Sequence, residues 1–267
     1  MRNFGLLFLL IIVILNSNAQ NTSIDNGTGE TIFAINSTTI YSYFQDKKVQ
    51  VTFENGKLII SNTSGSPFLF STMQPARIYY DNQQLDFKQM NYDAMGDDFI
   101  LYSPKAHEIG IKSNLPLVKL EKNKIKAVNF YVDGKDIFFA PVSKDKFTSK
   151  VDKYFFEIFT NNLNKKYLLK SITKTQTLSH RAPALGLGDE NWEKKYKFST
   201  EIRYYILNKD GFYVETKLGK KNILKAIDDR KHETALKKYI KKNKLKLKKA
   251  KDVQKLMEYY HYLKNNK

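Results

Sequence analysis

The chain has 267 residues, of which 42% are hydrophobic, and it carries a formal net charge of +18 at pH 7 with no cysteine. The absence of cysteine excludes disulfides, thiolate metal sites and cysteine nucleophiles. A folded body of more than 200 residues buries about 70% of its unfolded surface, so a chain of this length can be stable without cross-links.

The first 19 residues have the pattern of a secretory signal peptide. Arg2 gives a positive start, residues 4–15 form an apolar run, and residues 17–19 are small, as at a signal-peptidase cleavage site. We expect cleavage after Ala19, so that the mature chain begins at Gln20. An uncleaved anchor is the alternative, but a span across the bilayer needs about 20 apolar residues.

The sequence predicts an exported protein with four regions. No cysteine follows the apolar run, so we expect a protein of the periplasm, the cell surface or the extracellular space that is not a lipoprotein. Frequent Lys, Asn and Ile are typical of a bacterium with an AT-rich genome. The regions are the signal peptide (1–19), a flexible polar leader (20–30), an antiparallel β body (31–217) and a basic C-terminal helical region packed on that body (218–267).

Hairpins are predicted for the β body because apolar and polar residues alternate between turn signals. The strongest turn signal is Asn55-Gly56. Residues 151–160 fit either a strand or one side of a short helix, and residues 174–191 are expected to be irregular. Strands are predicted over residues 31–43, 49–53, 57–60, 76–80, 84–88, 99–102, 124–132, 136–140, 166–173, 194–206 and 212–215.

The longest alternating stretch precedes the last predicted turn of the β body. Its period of two places Ile202, Tyr204 and Ile206 on one face of a strand, with Glu201 and Arg203 on the other. We expect the apolar face to lie in the interior and the charged face to lie in solvent.

Three helices are predicted after the β body, over residues 219–227, 230–242 and 250–263. Asp228-Asp229 ends the first helix and caps the second. The last two helices should form an antiparallel pair, joined by an extended link at residues 244–248, with their apolar sides against each other or on the sheet. The fold class is therefore α+β: an antiparallel β body, built as a twisted sheet or a sandwich, followed by a C-terminal helical pair.

Most of the positive charge lies at the C-terminal end. Residues 217–267 hold 18 Lys or Arg and 5 Asp or Glu, a net charge of +13. Lysine attracts anions as a point charge, which favours salt-sensitive, unspecific binding of an anionic polymer or a membrane surface. No feature indicates specific nucleic-acid recognition, and a solvated helix face is the alternative. The candidate anion-binding residues are Lys237, Lys238, Lys241, Lys242, Lys244, Lys248, Lys249 and Lys251.

No catalytic residue, cofactor or metal ligand is predicted from the sequence. His107 and His232 are each followed by Glu, as in a zinc-protease helix, but Ile111 and Leu236 stand where the second histidine should be. Paired carboxylates such as Asp97-Asp98 are expected to serve in turns and helix caps.

Three features are shared with a known class of proteins: the signal ending at residues 18–20 (Asn-Ala-Gln), residues 64–68 (Ser-Gly-Ser-Pro-Phe) and the Tyr204-Tyr205 hairpin before lysine-rich helices. In these features the chain resembles uncharacterised exported β-rich proteins of Bacteroidota with a lysine-rich helical C-terminus. The resemblance implies no activity.

Three functional hypotheses remain from the sequence. The first is an exported non-enzymatic envelope protein with a binding or scaffolding role and an unknown ligand. The second is an anion-binding module that uses the basic helices on lipid, polysaccharide or nucleic acid. The third is a hydrolase whose site is not visible in the sequence. Exposed lysines gathered together would favour the second hypothesis, and a deep pocket lined by convergent carboxylates or histidines would favour the third.

Overall fold

A computed structural model describes residues 21–25, 31–36, 51–54, 57–60, 63–81, 83–102, 117–179 and 195–266. The predicted signal peptide, His107, His180 and the Asn55-Gly56 turn lie outside the described residues.

Fifteen strands are present among the described residues. They are β1 (Asn21–Asp25), β2 (Thr31–Asn36), β3 (Val51–Glu54), β4 (Lys57–Ile60), β5 (Thr63–Ser64), β6 (Gln74–Tyr80), β7 (Gln83–Asp93), β8 (Asp98–Tyr102), β9 (Leu117–Lys119), β10 (Ile125–Val132), β11 (Lys135–Pro141), β12 (Phe155–Ile158), β13 (Leu168–Ser179), β14 (Lys195–Leu207) and β15 (Tyr213–Thr216).

Eleven of these strands form one sheet. Its order is β15, β14, β13, β12, β11, β10, β6, β7, β8 and β9, and β5 pairs with β14. The pairings are antiparallel except that of β5 with β14. The hairpins β1–β2 and β3–β4 form two separate sheets, so residues 21–25 of the predicted leader lie in a strand.

The α+β class is confirmed. Residues 151–160, which fit either a strand or a short helix, contain the strand β12. Residues 174–179, predicted to be irregular, belong to β13, which pairs with β14 along its whole length from Leu168 opposite Ile206 to Ser179 opposite Lys195. This polar stretch is held by a backbone hydrogen-bond ladder, which a hydrophobic pattern does not reveal.

The first hydrophobic core is aromatic and lies against β6 to β8 and β10 to β13. Phe99 is at its centre, with its ring centroid 4.7 Å from Phe155, 5.2 Å from Tyr92 and 5.9 Å from Phe130. Beside this core, the β7–β8 turn reaches β13, where the Lys174 amide donates to the Ala94 carbonyl at 3.2 Å. The sheet therefore curls so that a distant turn meets its middle strands.

Two further cores cover opposite faces of β13 and β14. Leu168 and Ile206 are buried under the C-terminal helices. The neighbouring residues Leu169 and Tyr205 point to the other face, where they pack with Phe147 and other aromatic residues. Consecutive side chains of a strand point to opposite faces. Since both faces are covered here, consecutive residues are buried.

Three helices follow the sheet: α1 (Lys220–Ile227), α2 (Arg230–Lys242) and α3 (Ala250–Asn265). Asp229 caps α2 as predicted, since its side chain accepts a hydrogen bond from the His232 amide. At the start of α2, Asp229 accepts a hydrogen bond from the Tyr260 hydroxyl. Near the end of α2, the Tyr239 ring stacks on the Tyr259 ring. Both contacts join α2 to consecutive tyrosines of α3, so the two helices pack against each other.

The link between α2 and α3 is not extended as predicted. Lys244 and Leu247 have left-handed backbone conformations, with φ of 51° and 57°. Leu247 is fully buried in the second core. The leucine takes this uncommon conformation where it inserts a side chain between the helices and the sheet.

Ile202 is not in the interior, contrary to prediction. It is 50% exposed, whereas Ile206 on the same face is fully buried and Tyr204 is partly buried. The helices cover only the end of β14, so the apolar pattern identified the face of the strand but not how far the covering layer extends. Glu201 and Arg203 are exposed as predicted.

Candidate functional site

The eight predicted anion-binding lysines extend from the second half of α2, through the link, to the first turn of α3. We call these eight residues the lysine-rich surface. All eight are exposed. The Lys237 ammonium pairs with Glu233 Oε1 at 2.6 Å, and none of the other seven has a carboxylate within 4 Å among the described residues. The structure therefore leaves these eight lysines exposed, with their charges mostly unpaired.

The backbone that carries the lysine-rich surface is well anchored. Asp252 accepts hydrogen bonds from the amides of Lys246 at 3.1 Å and Leu247 at 3.3 Å, and the Leu245 amide donates to the Ile240 carbonyl at 3.0 Å. Apolar residues on the other side of these elements are buried. They are Leu236, Ile240, Leu247, Val253, Leu256 and Met257.

A groove of about 530 Å³ lies beside Lys237, between α1 and α2. Five basic and three acidic side chains line it, so it continues the positive character of the neighbouring surface. The lining residues are Lys220, Lys221, Leu224, Lys225, Asp228, Asp229, Arg230, Glu233 and Lys237.

A second group of charges is buried where the β7–β8 turn meets β12. Asp97 is 5% exposed and is hydrogen-bonded through both carboxylate oxygens. Its Oδ1 accepts from the Tyr92 hydroxyl at 2.6 Å and from the Phe155 amide at 3.3 Å, while Oδ2 accepts from the Tyr154 amide at 2.7 Å. Asp97 therefore fastens the turn to β12.

Two other aspartates complete the turn. Asp98 pairs with Lys119 at 2.6 Å and with Lys122 at 3.2 Å. Asp93 Oδ1 accepts from the Gly96 amide at 3.0 Å, and burial raises the pKa of Asp93 above its usual 3.8. A side chain at Gly96 would bring its Cβ within 2.6 Å of Asp93 Oδ2, so the turn is too tight for another residue there.

Lys153 is the least satisfied charge of this group. It is 7% exposed, and its ammonium donates one hydrogen bond, to the Ala94 carbonyl. No carboxylate lies within 4 Å of this ammonium among the described residues, and the Tyr92 ring centroid is 5.9 Å away. Burial lowers the pKa of Lys153, an effect that the more distant Asp97 and Asp93 partly oppose.

A cavity of about 290 Å³ opens beside Lys153. Its lining combines buried side chains with charged side chains at the rim. The lining residues are Met95, Gly96, Asp97, Lys122, Lys150, Val151, Asp152, Lys153, Ser171, Thr173, Glu201, Arg203 and Tyr205.

The sequence pattern does not reveal this cavity. Asp97 lies in a turn, as predicted, and Asp98 begins β8, but neither their burial nor their meeting with Lys122 and Lys153 was predicted. One feature of the sequence could have indicated the cavity. Lys153 lies between Val151 and the aromatic residues 154–156, at a position where an apolar residue would be usual.

The described histidines have structural contacts. His232 Nδ1 lies 2.8 Å from Asp229 Oδ2 at the start of α2, and the His261 ring stacks on Tyr167 with centroids 3.8 Å apart. No group of three or more potential metal ligands occurs within the part of the chain that the structure describes. No helix in that part is long and apolar enough to cross a bilayer.

Comparison with known proteins adds no relative. No protein-family model, curated protein or solved structure matches this chain. The lysine-rich surface and the cavity are therefore the features from which a function can be inferred.

Proposed function

We propose that the protein is an exported, non-enzymatic envelope protein that binds anionic polymers or lipid surfaces through the lysine-rich surface. The observation that carries this proposal is the combination of eight exposed lysines with one ion pair to the described part of the chain, that of Lys237 with Glu233. The proposal joins the first two hypotheses from the sequence, since it gives the binding role a location and a class of ligand.

The chemistry of these side chains supports unspecific electrostatic binding. Lysine is a compact, strongly hydrated cation that does not form the planar two-point contacts of arginine. Uncompensated lysines close together repel each other, and solvent ions screen that repulsion beyond about 10 Å at 0.1 M ionic strength. A polyanion that replaces those ions releases them into solution, so its affinity should fall steeply as the salt concentration rises.

The anchored backbone supports a binding role as well. Because buried leucine, isoleucine and valine side chains hold α2 and α3 on the sheet, only the lysine side chains need to be ordered when a ligand binds. A preorganised surface loses less conformational entropy on binding than a flexible basic tail does.

Two of the three carboxylates that line the cavity are engaged in internal contacts, which gives less support to a hydrolase. Both oxygens of Asp97 accept internal hydrogen bonds, and Glu201 is held by the Arg203 guanidinium at 2.8 Å. A general acid or base needs a free contact with the substrate, and these two groups are already engaged.

The test is retention on heparin and co-sedimentation with vesicles that contain anionic lipid, at low and high salt. The test variant replaces Lys241, Lys242, Lys248 and Lys249 with Gln. A control variant loses the same charge from exposed lysines of the β body. Its substitutions to Gln are at Lys88, Lys135, Lys144 and Lys146.

We expect the test variant to lose retention at low salt and the control variant to keep most of it. Heparin and vesicles distinguish a soluble polyanion from a lipid surface as the ligand. Equal retention of the two variants would show that net charge alone is responsible, and absence of retention of the unmodified protein at low salt would reject the proposal.

A further inference from the structure

The buried ammonium of Lys153 indicates a second binding site, independent of the lysine-rich surface. An ammonium has three N–H donors. Only one of those of Lys153 has an acceptor among the described residues, the Ala94 carbonyl. A buried charge without an ion pair is unfavourable and is uncommon in folded proteins. The side chain of Lys153 lines the cavity, so a ligand there could supply the missing partner.

Of the three other cations that line the cavity, two are paired with carboxylates, and the third, Lys150, is exposed. Lys122 contacts Asp98 at 3.2 Å and donates to the Gly96 carbonyl at 3.2 Å. Arg203 contacts Glu201 at 2.8 Å and Glu215 at 3.5 Å. Lys153 is therefore the buried cation of the cavity that has no carboxylate within 4 Å among the described residues, and a single negative charge could pair with it.

We propose that the cavity binds a small monocarboxylate, whose carboxylate group pairs with the Lys153 ammonium. A doubly charged phosphate fits less well, because phosphate sites combine several donors such as an arginine fork or successive backbone amides. The hydroxyls of Ser171 and Thr173 are among the lining groups and can add hydrogen bonds to the ligand.

The cavity also limits the size of the ligand. Its volume of about 290 Å³ is near the lower end of the 300–1,000 Å³ that is usual for small-molecule sites. Ser171 and Tyr205 on its wall are each 3% exposed. A carboxylate bound beside them would be partly removed from water, where its attraction to an ammonium is stronger than at the protein surface.

The experiment is calorimetric titration of the full chain with propionate and benzoate, each compared with its uncharged amide. The variants are Lys153→Met, which removes the charge, and Lys153→Gln, which keeps a donor for the Ala94 carbonyl. Lys88→Met is a control, because Lys88 is exposed and does not line the cavity. Circular dichroism verifies that each variant is folded.

We expect at least one carboxylate to bind and its amide not to bind. Both Lys153 variants should weaken binding by at least about tenfold, as expected for loss of one partner of a buried charge pair, and Lys88→Met should leave it unchanged. Carboxylate binding that is retained in Lys153→Met, or absent from the unmodified protein, would overturn the proposal. The four-lysine variant of the C-terminal helices should still bind the carboxylate, so the two proposals can fail separately.

Discussion

The Tyr92 hydroxyl donates a hydrogen bond of 2.6 Å to Oδ1 of Asp97, five residues along the chain and on the other side of a tight turn. Both residues are buried. Burial and the adjacent carboxylate hold the pKa of Tyr92 well above its usual 10, so the tyrosine remains a donor over the range in which the protein is folded. Since Asp97 also accepts from the amides of Tyr154 and Phe155 at the start of β12, one carboxylate joins the turn, the aromatic core and a third strand.

Asp97→Asn should destabilise the protein strongly. We expect a loss of about 3 kcal/mol in the free energy of unfolding, because hydrogen bonds to a buried charged group contribute about 1.5–3 kcal/mol each and the amide keeps only one acceptor oxygen. Urea denaturation measures this loss. Asp86→Asn is the matched control, since Asp86 forms an exposed ion pair with Arg77 and such pairs contribute little. Similar losses in the two variants would contradict a structural role for Asp97.

Ile206→Ala and Ile202→Ala should differ in their effects although both side chains lie on the same face of β14. Truncation of the buried Ile206 should cost about 2–5 kcal/mol through lost burial and the remaining cavity. Truncation of the half-exposed Ile202 should cost less than about 1 kcal/mol. Chemical denaturation of both variants measures the difference. A large loss from Ile202→Ala would show that another part of the chain covers it.

Asp229→Ala should remove the cap of α2 and make the protein less sensitive to acid. Burial alone would raise the pKa of Asp229, but hydrogen bonds from His232 and Tyr260 outweigh it and hold the pKa below 3.8. A lowered carboxylate pKa contributes stability above the unfolded value, and this stability is lost as the pH falls through the folded value. At neutral pH we expect a loss of about 1–2 kcal/mol from the missing cap.

The stability difference between Asp229→Ala and the unmodified protein should therefore shrink as the pH falls below about 4, where the unfolded carboxylate protonates. Denaturation at several pH values measures it. Asp210→Ala, which changes an exposed turn residue, serves as the control. A difference that does not change with pH would mean that the charge of Asp229 is unimportant.

His261 should make the protein less stable in mild acid. Burial, with a contribution from Lys264, lowers the pKa of His261 from 6.5 to about 4. Between these values the unfolded state binds a proton that the folded state does not, so stability falls as the pH falls from 6.5 towards 4. His261→Phe keeps a ring against Tyr167 and removes the titration. Its melting temperature should decrease less than that of the unmodified protein over this range, and parallel decreases would contradict this assignment.

The mature protein should begin at Gln20. The basis is Arg2, the apolar run at residues 4–15 and the small residues that end at Ala19. Intact mass measurement of the protein from a bacterial envelope fraction tests the cleavage site. A protein that keeps Met1 and fractionates with integral membrane proteins would reject the prediction.

By itself, the sequence determined the local structure of this protein. Alternation placed most strands, as in β14. An apolar spacing of three and four placed α2 and α3, and an aspartate cap marked the start of α2. These features depend on residues within a few positions of one another, so a single sequence contains the necessary information. The exposure of the lysine-rich surface was also predictable, because a lysine charge is costly to bury.

Only the tertiary structure decided which faces are covered and which distant charges meet. Ile202 and Ile206 have the same local pattern, yet only Ile206 lies beneath the helices. Asp97 and Lys153 are 56 positions apart. The curl of the sheet brings the turn that contains Asp97 next to β12, the strand that follows Lys153. Burial and long-range pairing depend on how whole elements pack, and a periodic pattern within one element does not contain that information.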